Sequence, residues 1–106
     1  MTAVRYRLSA LARADLTAIG RHTAQRWGLR QRGIYLARLD RRMDRLVDHP
    51  NLGVPREAVG SGVRVLCEGR HAIYYAPFGG TVLVMRILHV SMDADRGLFS
   101  WPEPEE

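Results

Sequence analysis

Two apolar stripes of helical period, separated by a single glycine, constrain this chain more than any other feature. Ala12, Leu16, Ile19, Thr23 and Trp27 recur at steps of three and four, which puts them on one face of a helix. Ser9 stands ahead of this run as an N-cap, its hydroxyl suited to accept an amide hydrogen of the first turn. Gly28 follows Trp27 where a chain leaving a helix favours positive φ, and a second periodic run begins almost at once. There Leu36, Leu39, Met43, Leu46 and Val47 form the stripe, and Pro50 stops the helix. The reading is a helical hairpin whose two apolar faces need a common partner. Gly20 and Gly33 lie inside these helices, where each costs roughly 1 kcal/mol against alanine; close helix approach is the expected compensation at both.

The partner is a sheet, because elsewhere the apolar period is two. Val4, Tyr6 and Leu8 alternate with Arg5 and Arg7, predicting a short strand over residues 4–8 with the arginines toward solvent or a partner. Residues 50–62 hold Pro50, Gly53, Pro55, Gly60 and Gly62 and read as a loop with little regular structure. Val63, Val65 and Cys67 then alternate with Arg64 and Glu68, and residues 71–76 and 82–88 are two more β-rich runs joined through Gly79 and Gly80. Residues 82–88 are apolar on both faces except at Arg86, so this strand is expected to be central or best covered. Of the adjacent Tyr74 and Tyr75, which point to opposite faces, one is expected in the core; the other reads equally as lining a binding groove or as packed. The fold class is α+β: an N-terminal strand, a helical hairpin, then a three-stranded antiparallel meander, all in one sheet. One domain is expected over residues 1–98, with residues 99–106 as a flexible acidic tail rich in Pro and Glu.

At 106 residues and 46% hydrophobic composition, the chain can bury one core without disulfides or a metal. Its one cysteine, Cys67, lies in an apolar run and reads as a buried, reduced thiol. Residues 1–8 lack the apolar core of an export signal, and no run is long enough to span a bilayer. A soluble, cytoplasmic protein is the expectation.

All 16 basic residues are arginine. Lysine chemistry is therefore absent, and the cationic groups are planar forks suited to carboxylates and phosphates but poor as general bases. Residues 1–49 carry eleven Arg against four Asp, a balance of +7, while the last residues hold Glu103, Glu105 and Glu106. A basic front half invites an acidic partner. Arg38, Arg41, Arg42 and Arg45 form one stripe on the second helix, away from its apolar face. They read either as a solvated face neutralised by Asp44 and Asp48, three residues beyond Arg41 and Arg45, or as a partner surface.

The four histidines, His22, His49, His71 and His89, have no metal-ligand spacing, and no cofactor motif is present. His22 and His49 read as surface residues. His71 and His89 flank the strands and are expected to face one cleft, in structural hydrogen bonding more readily than in catalysis. The serines show no nucleophile elbow, and no helix-turn-helix or zinc-finger pattern points to direct DNA reading.

The order of elements, and local words along it, resemble the RelE/ParE toxin superfamily, in particular its ParE branch. The words are Tyr6-Arg7-Leu8-Ser9 with Ala12 and Asp15-Leu16, Arg26-Trp27-Gly28, and Tyr35-Leu36 with Leu39. Further along come Asn51-Leu52-Gly53 with Pro55-Arg56, Gly69-Arg70-His71 with Ile73 and Tyr75, and Arg86-Ile87-Leu88-His89 with Met92-Asp93. Val54, Val90 and Ser91 depart from the branch's usual basic and small residues. The resemblance implies a toxin of a type II toxin-antitoxin system that inhibits DNA gyrase by binding. It also implies silencing by a ParD-like antitoxin with a ribbon-helix-helix region and an acidic tail, in a hetero-oligomer that touches DNA only through the antitoxin. On that reading Trp27, Tyr35, Arg38, Arg41, Arg42 and Arg45 meet the antitoxin, and Arg70, Tyr75, Arg86, His89, Met92 and Asp93 meet the target. The alternative, similar to RelE, is a ribosome-dependent mRNA endonuclease using Arg64, Arg70, Arg86, His71 and His89. This chain lacks the C-terminal tyrosine of that branch. A third reading is a degenerate toxin kept as an antitoxin-binding partner.

Overall fold

The computed structural model describes residues 4–91, so Met92, Asp93 and the tail at 99–106 lie outside the described residues. Helix α1 (Ala10–Trp27) starts where the Ser9 hydroxyl accepts the Ala12 amide hydrogen at 3.0 Å. Gly28 then turns the chain straight into α2 (Leu29–Asp48), at φ 92° and ψ 168°, a region essentially closed to residues with a Cβ. One residue serves as C-cap of the first helix and N-cap of the second. Pro50 follows His49, the C-cap of α2.

Five strands form one sheet: β1 (Arg7–Leu8), β2 (Val54–Pro55), β3 (Arg64–Glu68), β4 (His71–Phe78) and β5 (Thr81–His89), in the order β1-β5-β4-β3-β2. The expected meander is β3, β4 and β5, all antiparallel. Two things differ from expectation. The N-terminal strand shortens to Arg7 and Leu8 and runs parallel to β5, because Arg5 leaves the alternation to grip α2. The loop at 50–62 contributes a two-residue strand on the outer edge of β3.

The helices cover one sheet face. Ala12, Ile19, Leu39, Met43 and Leu46 meet Tyr6, Ile73, Tyr75, Val82, Val84 and Ile87 there. A second cluster on the other face holds Val63, Val65, Tyr74, Leu83, Met85 and Leu88, with Val59 and Phe78 against it. Between Tyr74 and Tyr75 the register with β5 shifts, leaving Met85 as an extra residue. The alternation changes phase there, so Val82 and Val84 before the bulge and Ile87 after it all reach the helices. β5 is thus apolar on both faces because it has two cores to fill.

Both adjacent tyrosines are buried, one in each cluster, so neither lines a groove. Cys67 is exposed rather than buried. It lies beyond Val65, past the end of the loop that covers the second face. Trp27, the last member of the first helical stripe, is 61% exposed at the end of α1. Close approach holds at Gly20, where an added Cβ would sit 3.3 Å from Leu36 Cδ1, and fails at Gly33, which faces open space.

The turn before β2 is fixed from inside. The Tyr75 hydroxyl donates to Pro50 O at 2.7 Å and accepts the Gly53 amide hydrogen at 2.8 Å, while Arg64 donates to the carbonyls of Asn51 and Gly53. A Cβ at position 53 would stand 2.7 Å from the Tyr75 ring and 2.8 Å from Val65 O. Gly53→Ala is therefore expected to lose about 1–3 kcal/mol in urea unfolding, the range for overpacking. Gly33→Ala is expected to gain about 0.5–1 kcal/mol in the same measurement.

Candidate functional site

Where α1 ends, α2 begins and β3 turns into β4, the side chains leave a cleft of about 380 Å³ lined by residues of all these elements and of β5. Its floor is Tyr35. The hydroxyl lies 3.1 Å from Glu68 O, 3.2 Å from the Arg70 amide nitrogen and 2.6 Å from His71 Nδ1. A phenol has one hydrogen to give, so the three contacts are all satisfied when it donates to Glu68 O and accepts from Arg70 N–H and His71 Nδ1–H. That assignment leaves His71 Nε2 as an acceptor. His71 and His89 face each other across the β4–β5 ladder, ring centroids 5.6 Å apart and edge-on. His89 Nδ1 accepts the Ser91 amide hydrogen at 3.1 Å, which puts the neutral ring's hydrogen on Nε2. Two imidazoles of opposite tautomer thus share one cleft, as expected for this pair.

The cleft wall is cationic and aromatic. The Arg38 guanidinium lies 5.5 Å from the Tyr35 ring centre, and that of Arg26 lies 5.6 Å from the Trp27 ring centre. Burial first, then the neighbouring His89 and His22, holds the His71 pKa below the usual 6.5, with Asp15 opposing. Burial likewise pushes the Tyr35 phenol up.

The arginine stripe of α2 is divided. Arg38 and Arg42 both pair with Glu68 on β3; Arg42 Nε is 3.1 Å from Glu68 Oε1, though its N–H is not aimed at the oxygen. Arg41 and Arg45 line a separate open groove of about 670 Å³ along α2. The expected pairs Arg41–Asp44 and Arg45–Asp48 do not form, because Arg5 takes both carboxylates at 2.9 Å. Its hydrogen bonds hold Asp44 and Asp48 below the usual carboxylate range and keep the guanidinium firmly protonated. Nearby, Tyr6 donates to Asp40 at 2.6 Å, and burial followed by that bond holds its phenol protonated.

The sequence-derived sites regroup accordingly. Trp27, Tyr35 and Arg38 join Arg70, His71 and His89 in the cleft. Arg86 does not: its Nε donates to Asp15 Oδ2 at 2.9 Å and a terminal nitrogen to Oδ1 at 3.0 Å, largely buried, while Ile87 N–H donates to the same Oδ2 at 2.9 Å. Tyr75 is fully buried and Arg64 is committed to the turn at 51–53, so neither is presented to a target. Met92 and Asp93 lie outside the described residues. Sequence reasoning missed His22 and Arg26, which line the cleft; their spacing of four, ending beside Trp27, was the available signal. Among the described residues no group of three or more His, Cys, Asp or Glu is placed to hold a metal ion, and no helix is long and apolar enough to cross a membrane.

A family model for the ParE toxin of the parDE type II toxin-antitoxin system matches residues 6–94. The chain belongs to the ParE toxin family. Toxin ParE1 of Caulobacter vibrioides is 38% identical over 89 residues, spanning 84% of this chain and 92% of the relative. Toxin ParE1 of Mycobacterium tuberculosis is 40% identical over 95 residues, spanning 89% and 97%. Among solved structures, a chain of the chromosomal ParDE system from P. aeruginosa superposes with a TM-score of 0.68 at 23% identity, covering 80% of this chain and 94% of that one. The shared fold is the ParE hairpin on a sheet.

Two measurements follow from the site. Arg86→Ala leaves Asp15 uncompensated, and about 3 kcal/mol or more of unfolding free energy is expected to go in urea titration. Because His71 binds its proton less readily when folded, the unfolded chain holds more protons below about pH 6.5. Stability of the free protein is then fully present above that pH and falls as pH drops from 7 to 5. His71→Gln is expected to flatten this slope in unfolding curves collected across that range.

Proposed function

We propose that this ParE-family chain is the toxin of a type II pair that inhibits DNA gyrase by binding it. It is silenced by a ParD-like antitoxin carrying a ribbon-helix-helix region and an acidic segment. The observation that carries the reading is the convergence in one cleft. Residues assigned to the antitoxin (Trp27, Tyr35, Arg38) and to the target (Arg70, His89) line the same space, so the antitoxin acts by direct occlusion. Arg41 and Arg45, exposed on the α2 groove, extend the antitoxin surface. On this reading the toxin acts in the cytoplasm, where gyrase is.

Cutting of mRNA is the second reading, and one observation favours it: Arg70, His71 and His89 stand together. Against it, Arg86 is tied to Asp15 and Arg64 to the turn at 51–53, so the set needed to stabilise a phosphoryl transition state is dispersed. Purified protein is expected to inhibit gyrase supercoiling, with relief by stoichiometric antitoxin. Trp27→Ala and Arg70→Glu are each expected to weaken the antitoxin complex about tenfold or more, as central anchors do. Gyrase that stays active in excess toxin would remove the proposal, and codon-spaced cuts by primer extension in induced cells would replace it with the nuclease.

A further inference from the structure

Among the described residues, the cleft at Tyr35 is lined by His22, His71, His89, Arg26, Arg38 and Arg70 and by no carboxylate. The two nearest acids are already engaged. Glu68 pairs with Arg38 and Arg42, and Asp15 holds Arg86 and the Ile87 amide. The groups facing His71 are thus His22, Arg26 and the occupied Asp15 from α1, Tyr35 and Arg38 from α2, Glu68 and Arg70 around the β3–β4 turn, and His89 from β5. Among the described residues, an imidazolium formed here meets Arg26, Arg38 and Arg70, and the acids near it, Asp15 and Glu68, are already paired with other arginines. Beside these charges stand exposed apolar groups: Trp27 on one wall and Val90, 51% exposed, whose amide hydrogen bonds Arg70 O at 2.9 Å.

We infer that this cleft is a socket for the carboxylate side chains of an acidic, amphipathic segment of the antitoxin, and that filling it draws a proton onto His71 Nε2. The inference rests on the antitoxin reading above. A carboxylate entering between Arg70 and the two rings supplies the missing negative charge. His71 Nε2, the acceptor left over by the Tyr35 bonding, becomes a donor when it takes the proton, so binding and proton uptake favour each other. The shape selects a peptide over a nucleic acid strand. A phosphate backbone repeats its charge at every nucleotide and needs a long cationic track, whereas here the positive groups converge on one small space beside the exposed Trp27 indole.

The test uses the full chain, isotope-labelled, and two probes: a synthetic Glu/Leu peptide and an oligothymidylate. The peptide is expected to shift the ring signals of His71 and His89 and the indole signal of Trp27. It should bind several-fold tighter at pH 6 than at pH 8, the limit for one linked proton being about tenfold per pH unit. Arg70→Gln should weaken binding at both pH values. His71→Gln with His89→Gln should abolish the pH dependence, with the amide spectrum reporting that the fold is kept. Unmoved histidine signals, equal affinity at both pH values, or shifts caused by oligothymidylate alone would overturn the socket. If the peptide fills the cleft but no antitoxin complex forms at either pH, the partner reading fails and the socket stands.

Discussion

The carboxylate of Asp15 accepts two hydrogen bonds from Arg86 and one from the backbone of Ile87, and the position of both helices follows from it. β5 is paired along its whole length with β4, but on its other side β1 reaches only Leu83 and Val84. The rest of that edge is closed by α1: Ser9 donates to Met85 O at 2.8 Å and Asp15 takes the Ile87 amide hydrogen. One helix therefore serves as a layer of the core and as the lid of a sheet edge. The charges are worth their burial only because three donors converge on one carboxylate; either partner alone would be a liability in that place. The bulge at Met85 is part of the same device, since it turns Ile87 into the core.

From this anchor the site follows by rigid geometry. At the end of α1, Arg26 and Trp27 line one cleft with His71, the first residue of β4, and His89, the last of β5. Gly28 reverses the chain in one residue, and α2 returns Tyr35 beneath them to meet His71. The cleft thus lies where the turn of the helical hairpin meets the β3–β4 turn and the end of β5. Its chemistry comes from forks of arginine and from imidazoles, a set that recognises anions and has little to offer as a base except through the histidines.

The parts that were legible in the sequence are those written locally. Ser9, Gly28 and Pro50 mark helix ends through backbone chemistry that needs no tertiary partner, and the meander shows in its period of two. The pairing of His71 with His89 in one cleft was legible for the same reason, since both close adjacent strands of one hairpin. What escaped was decided at long range. Arg5 reads as an outward strand residue until α2 presents Asp44 and Asp48 to it, and Arg86 reads as a surface cation until α1 brings Asp15. Val54 and Pro55 carry no alternation, because two residues are too few to show one. Cys67 has the neighbours of a core residue but lies past the loop that covers its face.

The outermost strand ends in Pro55, which has no amide hydrogen to give. A sheet with an unprotected flank is a template on which further copies of the same chain can stack. Here the flank is two residues long and its last donor is missing, so lateral growth stops after a single layer. At this flank the chain therefore presents no continuous row of amide donors to a second copy of itself.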